Sequence, residues 1–338
     1  AEVKTIQPIH GQDLILTIDS DLQYLSEGLC EDALIRTEAL NCSIVFSNAN
    51  SGEILIAAEK QSQNKQSYDI DLISLRAIYE PGSSLKIFSI GAGIEYGLID
   101  ESTKFVVNDF IEVIEGSCAK NYEGFKACYR DFLNHEPYEL SVMEIIERSS
   151  NVGTILATQN LNIDYLEEYL MKFGFGEPTG VELTGELPGG FRDYNTCATC
   201  LSSLSIGYSI NVTQLQMIRA YSIIANGGRD VNLSMVKKES TSLDNEQIIS
   251  YESANRLKKL LINVVDGENG TGRSLRLENY IIGGKTGTSK THIEGVGYSD
   301  FRYNTSFTGF IETSKGPVVG SVILWGASVN PRSEYVTG

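Results

Sequence analysis

The chain has 338 residues, of which 41% are hydrophobic and 21% charged, and its formal net charge is −17. A chain of this length and composition is typical of a globular protein with one large domain or two small ones. The acidic balance argues against nucleic-acid binding, because no basic stripe is available to neutralise phosphates. The absence of any run of about 18 apolar residues argues against a membrane span.

The N-terminal part of the chain predicts one helix and one β-hairpin. Residues 11–37 predict a short strand followed by an amphipathic helix, which Asp19 or Ser20 caps. Residues 42–59 predict two strands that turn at Asn50-Ser51-Gly52.

The middle of the chain predicts mainly helices. Residues 84–99 carry an apolar stripe that predicts a core helix, and Ser83 stands at its start. Residues 100–137 predict irregular structure. Further helices are predicted at residues 141–161, 164–174, 212–228 and 250–265. In the third of these, Thr213 and Gln216 form a capping-box pattern.

The C-terminal part predicts strands again, at residues 280–291, 303–313 and 316–326. Strands therefore come early and late in the chain, with helices between them. This order predicts an α+β fold in which both ends of the chain build one sheet and a helical region is inserted.

Serine and lysine occur three residues apart at four places: Ser62/Lys65, Ser83/Lys86, Ser117/Lys120 and Ser234/Lys237. On a helix such a pair shares one face, so a desolvated lysine amine can accept the serine proton. Only Ser83 begins an apolar helix, which favours Ser83 and Lys86 as a catalytic pair. A non-catalytic interpretation stays open at this point, in which Ser83 caps the helix and Lys86 is solvated.

Two further motifs follow in the chain. Ser149-Ser150-Asn151 is a weak signal by itself, because Ser-x-Asn recurs in this sequence. Lys285-Thr286-Gly287-Thr288 is a more specific signal, because Lys-Thr-Gly occurs once in the chain. It lies on a predicted strand, where its glycine would let a substrate backbone approach closely. Its lysine and threonines would then hold a carboxylate. In this order the three motifs are those of penicillin-binding proteins and class A β-lactamases.

The chain resembles class B penicillin-binding proteins, and among them the division-type transpeptidases. The resemblance covers nearly the whole length and rests on these stretches: GQDLILTIDSDLQ, YEPGSSLK, SSNVG, FGFGEPTGVELTGE, VTQLQMIRAYSIIANGG and GGKTGTS. It departs at Gln214, where the family usually has proline, and at Ser209, where glycine is common. The family also usually continues into a last helix beyond EYVTG.

The resemblance implies an antiparallel sheet flanked by helices, with an inserted helical subdomain. Residues 13–94, approximately, and residues 281–338 are expected to form the sheet subdomain. Residues 95–280, approximately, are expected to form the helical subdomain. Residues 1–12 are expected to be a linker remnant. The chain begins without Met and shows no signal peptide, so we expect an excised, soluble piece of a membrane-anchored extracytoplasmic protein.

The resemblance also implies a role for each motif residue. Ser83 would attack the penultimate D-Ala of a peptidoglycan stem peptide, and Lys86 would take its proton. Ser149 would pass a proton to the leaving D-Ala, and Asn151 would hold Lys86 and the donor amide. Lys285, with Thr286, Gly287 and Thr288, would bind the terminal carboxylate. The backbone N–H groups of Ser83 and Thr288 would form the oxyanion hole.

The implied partners are stem peptides, β-lactams, a glycosyltransferase and other division proteins, with no cofactor or metal. Hydrolytic alternatives are a D,D-carboxypeptidase and a β-lactamase. Against the latter, Ser150 stands where a class A β-lactamase has aspartate. A non-catalytic division scaffold is a third alternative, and the intact motifs argue against it.

Six cysteines stand at positions 30, 42, 118, 128, 197 and 200. Cys197 and Cys200 have the spacing of a redox or metal motif. The resemblance places the domain outside the cytoplasmic membrane, where disulfides persist. We predict a bond between Cys118 and Cys128, which would close a loop in the irregular stretch. A pairing between the two regions and six free thiols stay open as alternatives.

Overall fold

A five-stranded antiparallel sheet, in the strand order β2-β1-β11-β10-β9, organises the computed structural model. The structure describes residues 11–328 except 12, 64–71, 121–126, 194–196, 239–244 and 294–296, so the predicted linker lies almost wholly outside the described residues. The strands of this sheet are β1 (Asn41–Asn48), β2 (Ile54–Gln61), β9 (Ile282–Ile293), β10 (Gly297–Ile311) and β11 (Val318–Ser328). Both ends of the chain thus build one sheet, and the predicted fold class is confirmed.

The predicted hairpin is formed by β1 and β2, and its turn requires glycine. Gly52 has a φ of +75°, and a Cβ at this position would lie 2.1 Å from the carbonyl oxygen of Asn232. A larger residue would therefore clash with the backbone of a distant segment. The third motif lies on β9, which is an edge strand, so one side of its backbone is not paired within this sheet.

The α-helices of the described chain are α1 (Ser20–Thr37), α2 (Ile73–Arg76), α3 (Lys86–Glu95), α4 (Val142–Arg148), α5 (Asn151–Thr158), α6 (Ile163–Lys172), α7 (Cys200–Ser205), α8 (Gln214–Ala225) and α9 (Tyr251–Asp266). All of these helices except α1 lie between β2 and β9 in the sequence. Asp19 caps α1 by accepting from the N–H groups of Asp21 and Leu22. The predicted capping box of Thr213 and Gln216 is present at the start of α8.

The core is centred on α3, every residue of which from Lys86 to Ile94 is buried. The ring of Phe88 packs edge-on against Phe173, Phe175 and Tyr221, with ring centroids 5.0 to 5.4 Å apart. Full burial of one such side chain contributes roughly 1.5–3 kcal/mol. The helix that follows Ser83 is therefore held in place by large aromatic side chains of the interior.

Three predicted elements differ in the structure. The strand expected before α1 is reduced to one isolated bridge between Leu16 and Val236. Residues 100–137 contain short strands, namely β3 (Lys104–Val107), β4 (Phe110–Glu112) and β5 (Cys128–Arg130), and β6 (Tyr138–Ser141) follows them. The single helix expected at residues 141–161 is two helices, because Ser149 adopts a left-handed conformation with φ +60°.

The short strands β7 (Gly190–Phe191) and β8 (Ile210–Asn211) pair between the helices. The division of the chain into a sheet subdomain and a helical subdomain stays a prediction. Within the described part of the chain, no helix combines the length and the apolar character needed to cross a bilayer.

Candidate active site

Ser83 lies in a 3-10 turn, Gly82–Leu85, that leads directly into α3. The structure corrects the capping interpretation, because the N-cap residue of the turn is Pro81 and no side chain caps either helix. Gly82 has a φ of +54°, and a Cβ on it would lie 2.7 Å from the carbonyl oxygen of Thr288. The turn therefore packs closely against β9, and the half-buried Ser83 lies beside the third motif.

Lys86 is fully buried at the first position of α3, one turn after Ser83. Its Nζ donates to the carbonyl oxygen of Ser149 over 2.6 Å and lies 3.5 Å from the Ser149 hydroxyl oxygen. Burial lowers the pKa of Lys86 to about 7, and the negative charge of Asp131 acts in the opposite direction. A neutral amine is therefore accessible near neutral pH, which is what a general base for a serine hydroxyl requires.

The second motif turns the chain sharply between α4 and α5. The left-handed Ser149 ends α4, and the next residue, Ser150, caps α5 by accepting from the N–H of Gly153 over 2.8 Å. This break points the Ser149 carbonyl and hydroxyl toward Lys86. Asn151 donates from Nδ2 to the carbonyl oxygen of Arg130 over 2.7 Å, and its predicted contact with Lys86 stays a prediction.

Asp131 anchors the second motif, and sequence reasoning missed it. One of its carboxylate oxygens accepts from the N–H groups of Asn151 and Val152 at 2.6 and 3.0 Å, and the other accepts from the Ser150 hydroxyl at 2.7 Å. The ring of His135 lies 3.3 Å from the same carboxylate. A lone aspartate in an irregular stretch carries no periodic signal, so only the folded chain reveals this contact.

The third motif brings a second buried amine to the site. Lys285 is fully buried, and its Nζ lies 3.3 Å from the carbonyl oxygen and 3.5 Å from the hydroxyl oxygen of Thr286. Burial lowers the pKa of Lys285 well below its ordinary value, and the nearby charge of Lys86 lowers it further. An arriving carboxylate would favour the charged form of Lys285.

Gly287 serves the packing of the protein itself. A Cβ on Gly287 would lie 2.5 Å from the Ser306 hydroxyl oxygen, 2.9 Å from the carbonyl oxygen of Pro81 and 3.1 Å from the Ser84 hydroxyl oxygen. Glycine is therefore needed where the serine turn packs on the strand. The sequence interpretation assigned it to close approach of a substrate. In the structure the flanking Thr286 and Thr288 are half-buried. Because side chains alternate along β9, these two threonines lie on the face of the strand opposite to Gly287.

A groove of about 520 Å³ lies beside the third motif, and Lys290 of β9, two residues after Thr288, lines it. Across this groove the Tyr298 hydroxyl donates to the carboxylate of Glu80 over 2.9 Å. Glu80, three residues before Ser83, is thereby hydrogen-bonded to the start of β10. The groove is lined by residues 76–80 together with Asn211, Lys290, Tyr298, Asn304 and Trp325.

Three disulfides join the six cysteines, as Cys30–Cys42, Cys118–Cys128 and Cys197–Cys200. The second is the pairing that the sequence analysis favoured, and it closes the loop just before β5, the strand that precedes Asp131. Cys197 and Cys200 bond to each other rather than holding a metal. Among the described residues no cluster of histidine, cysteine and acidic side chains is arranged to hold a metal ion.

The family of the chain follows from comparison with known proteins. The sequence matches the family described as "Penicillin binding protein transpeptidase domain" over residues 42–333, so the chain belongs to that family, and the predicted membership is confirmed. It is 29% identical over 326 residues to a protein of Pseudomonas aeruginosa named probable peptidoglycan D,D-transpeptidase PbpC, with 94% of this chain and 55% of that protein covered.

A second relative and a solved structure agree with this family. The chain is 30% identical over 325 residues to penicillin-binding protein PbpB of Mycolicibacterium smegmatis, with 89% of this chain and 48% of that protein covered. It thus spans about half the length of these relatives. Penicillin binding protein 3 of Mycobacterium tuberculosis, solved with aztreonam, superposes with a TM-score of 0.82 at 27% identity, over 96% of this chain and 75% of that one.

Proposed function

We propose that this domain is a serine D,D-transpeptidase that cross-links peptidoglycan stem peptides through an acyl-enzyme on Ser83. The observation that carries the proposal is the fully buried amine of Lys86, with a pKa of about 7, one turn from the half-buried Ser83. Few structural roles require a buried lysine to lose its proton near neutral pH, whereas activation of a serine hydroxyl does.

Acylation begins when Lys86 takes the Ser83 proton and the hydroxyl oxygen attacks the carbonyl of the penultimate D-Ala. The negative charge that develops on the carbonyl oxygen is stabilised by the backbone N–H groups of Ser83 and Thr288, which is typically worth about 3–4 kcal/mol per donor. The Ser149 hydroxyl, which lies 3.5 Å from Lys86 Nζ, passes a proton to the departing D-Ala amine.

The substrate carboxylate is held by the third motif. Lys285 supplies the positive charge, and the hydroxyls of Thr286 and Thr288 supply hydrogen bonds. A local cation matters here because the protein carries a formal net charge of −17 and the substrate terminus is also anionic. The amine of a neighbouring stem peptide then displaces Ser83 and forms the cross-link.

The surroundings of the second motif favour aminolysis over hydrolysis. Asp131 has a side chain only 8% exposed, and donors already occupy both of its carboxylate oxygens. It is therefore poorly placed to activate a deacylating water. We expect the β-lactam adduct to persist for many minutes, and continuous hydrolysis of nitrocefin at several turnovers per second would favour a β-lactamase instead.

The test of the proposal is covalent labelling. Intact-mass spectrometry after benzylpenicillin should show one adduct on the peptide that contains Ser83, lost in Ser83→Ala. Ser234→Ala is a matched control, because Ser234 also precedes a lysine by three residues but is buried and donates to the Glu182 carboxylate. A folded sample that takes no label, or an adduct at Ser117 or Ser234, would contradict the assignment.

The cellular setting is also a proposal. We expect division-type cell-wall synthesis outside the cytoplasmic membrane, in a longer, membrane-anchored protein with a glycosyltransferase as partner. The support is the resemblance of the YEPGSSLK motif and the names of the relatives, one of which is stage V sporulation protein D of Bacillus subtilis.

A further inference from the structure

Glu147 is a buried carboxylate that the mechanism above does not use. It lies in the last turn of α4, two residues before Ser149, and is only 7% exposed. One of its carboxylate oxygens accepts from Asn263 Nδ2 over 2.7 Å, and the other accepts from the N–H of Asn269 over 2.8 Å. Buried carboxylates with this many direct donors hold the groups around them in a defined arrangement.

The donors belong to the end of α9 and to the loop of residues 267–272 that follows it. The N–H of Thr271 donates to the backbone carbonyl oxygen of Glu147 over 3.2 Å, so the loop touches both the side chain and the main chain of this residue. A Cβ on Gly267 would lie 2.6 Å from the Glu147 carboxyl carbon. The loop therefore closes directly over the carboxylate.

The same loop reaches the third motif. The hydroxyl of Thr286 donates to the hydroxyl oxygen of Thr271 over 2.9 Å. A hydroxyl can donate one hydrogen bond and accept others. If Thr271 turns to donate to the Thr286 oxygen, the Thr286 proton becomes available for a ligand carboxylate.

We propose that Glu147 is a positioning residue that couples the second and third motifs through Thr271. It fixes the loop, the loop presents the Thr271 hydroxyl, and Thr271 orients the Thr286 hydroxyl toward the substrate carboxylate. This inference rests on the proposed function, because it assigns Thr286 to carboxylate binding. Its consequence is that Glu147 supports ligand affinity without touching the ligand.

The experiment separates binding from chemistry. Stopped-flow labelling with a fluorescent penicillin gives the dissociation constant of the initial complex and the rate constant of acylation. Thr271→Val removes the exposed hydroxyl and should raise the dissociation constant about tenfold, with little change in the acylation rate constant. Glu147→Leu should do the same, and the double variant should lose little more than either single variant.

Two further variants complete the design. Glu147→Gln should keep near wild-type affinity. The oxygen of the new amide can accept from the N–H of Asn269, and its NH2 group can donate to Asn263 Oδ1 once the Asn263 amide has turned over. Glu182→Leu is the control, since Glu182 also accepts from a side chain and a backbone N–H, those of Ser234 and Met235, and in addition lies 3.4 Å from Lys238 Nζ. It should lower thermal stability and leave the dissociation constant unchanged.

The outcomes are distinguishable. If wild-type protein takes the label but Thr271→Val binds normally, or if the losses in the double variant add fully, the inference is overturned while the proposed function stands. An unchanged dissociation constant in Glu147→Leu has the same consequence. If the wild-type protein takes no label at all, the proposed function fails and the inference fails with it.

Discussion

Lys86 Nζ donates to the backbone carbonyl oxygen of Ser149 over 2.6 Å, and this contact holds the amine between the first two motifs. The two residues are 63 positions apart in the chain. Burial disfavours the ammonium form and lowers the pKa of Lys86 to about 7, whereas the negative charge of Asp131 acts in the opposite direction. In the proposed mechanism this amine exchanges protons with the hydroxyls of Ser83 and Ser149 near neutral pH.

The rate of acylation should follow the deprotonation of Lys86. The neutral amine is the base, so its fraction increases as the pH rises through a pKa of about 7. We expect the acylation rate constant for a penicillin to increase with pH, with a midpoint near 7, and then to level off. Stopped-flow labelling between pH 5 and 9 measures this profile. A rate that is flat across that range would show that Lys86 is not the titrating base.

The two buried lysines should respond differently to arginine. Arginine does not lose its proton, so Lys86→Arg should abolish acylation while the fold persists. Lys285→Arg keeps a cation for the carboxylate and should retain part of the activity. Penicillin labelling together with circular dichroism measures both effects. An equal and complete loss in the two folded variants would mean that Lys285 does more than supply a fixed charge.

Removal of the Asp131 charge should lower the pKa of Lys86, because that charge raises it. Asp131→Asn should therefore move the midpoint of the acylation profile to lower pH. It should also slow acylation, since one donor to the carboxylate is left without an acceptor, at a cost of about 1–3 kcal/mol.

Asp100→Asn is the control for this change. Asp100 also accepts from two backbone N–H groups, and from two hydroxyls, but it lies on the loop after α3. The control should leave the midpoint unchanged. An unshifted midpoint in Asp131→Asn would contradict the prediction that the charge of Asp131 raises the pKa of Lys86.

The Cys118–Cys128 disulfide should stabilise the segment that carries Asp131. Replacing both cysteines by serine should lower the free energy of unfolding by about 3 kcal/mol, because the bond restricts the unfolded chain. Replacing Cys197 and Cys200 should cost less, since only three positions separate them, against ten for the first pair. Urea denaturation measures both changes.

Thiol counting tests the same disulfides directly. Denatured protein that was never exposed to reductant should show no reactive thiols, because all six cysteines are paired. Six reactive thiols would contradict the three pairings.

Much of the candidate site could be predicted from local sequence. Ser83 and Lys86 stand three residues apart at the start of an apolar helix, and the capping box of Thr213 and Gln216 spans a single helical turn. Such patterns are set by the geometry of one turn, so they can be recognised without the rest of the fold. The order of strands and helices likewise indicated a sheet built by both chain ends.

The tertiary structure decided the remaining parts of the site. The left-handed Ser149 interrupts a helix that the sequence predicted as continuous, and Gly287 accommodates the serine turn. Asp131 and Glu147 have no periodic signal, since their functions depend on distant partners. Asn263, for example, lies 116 positions from Glu147. A sequence pattern records neighbours within a few residues, whereas these contacts arise only when burial forces distant polar groups to satisfy one another.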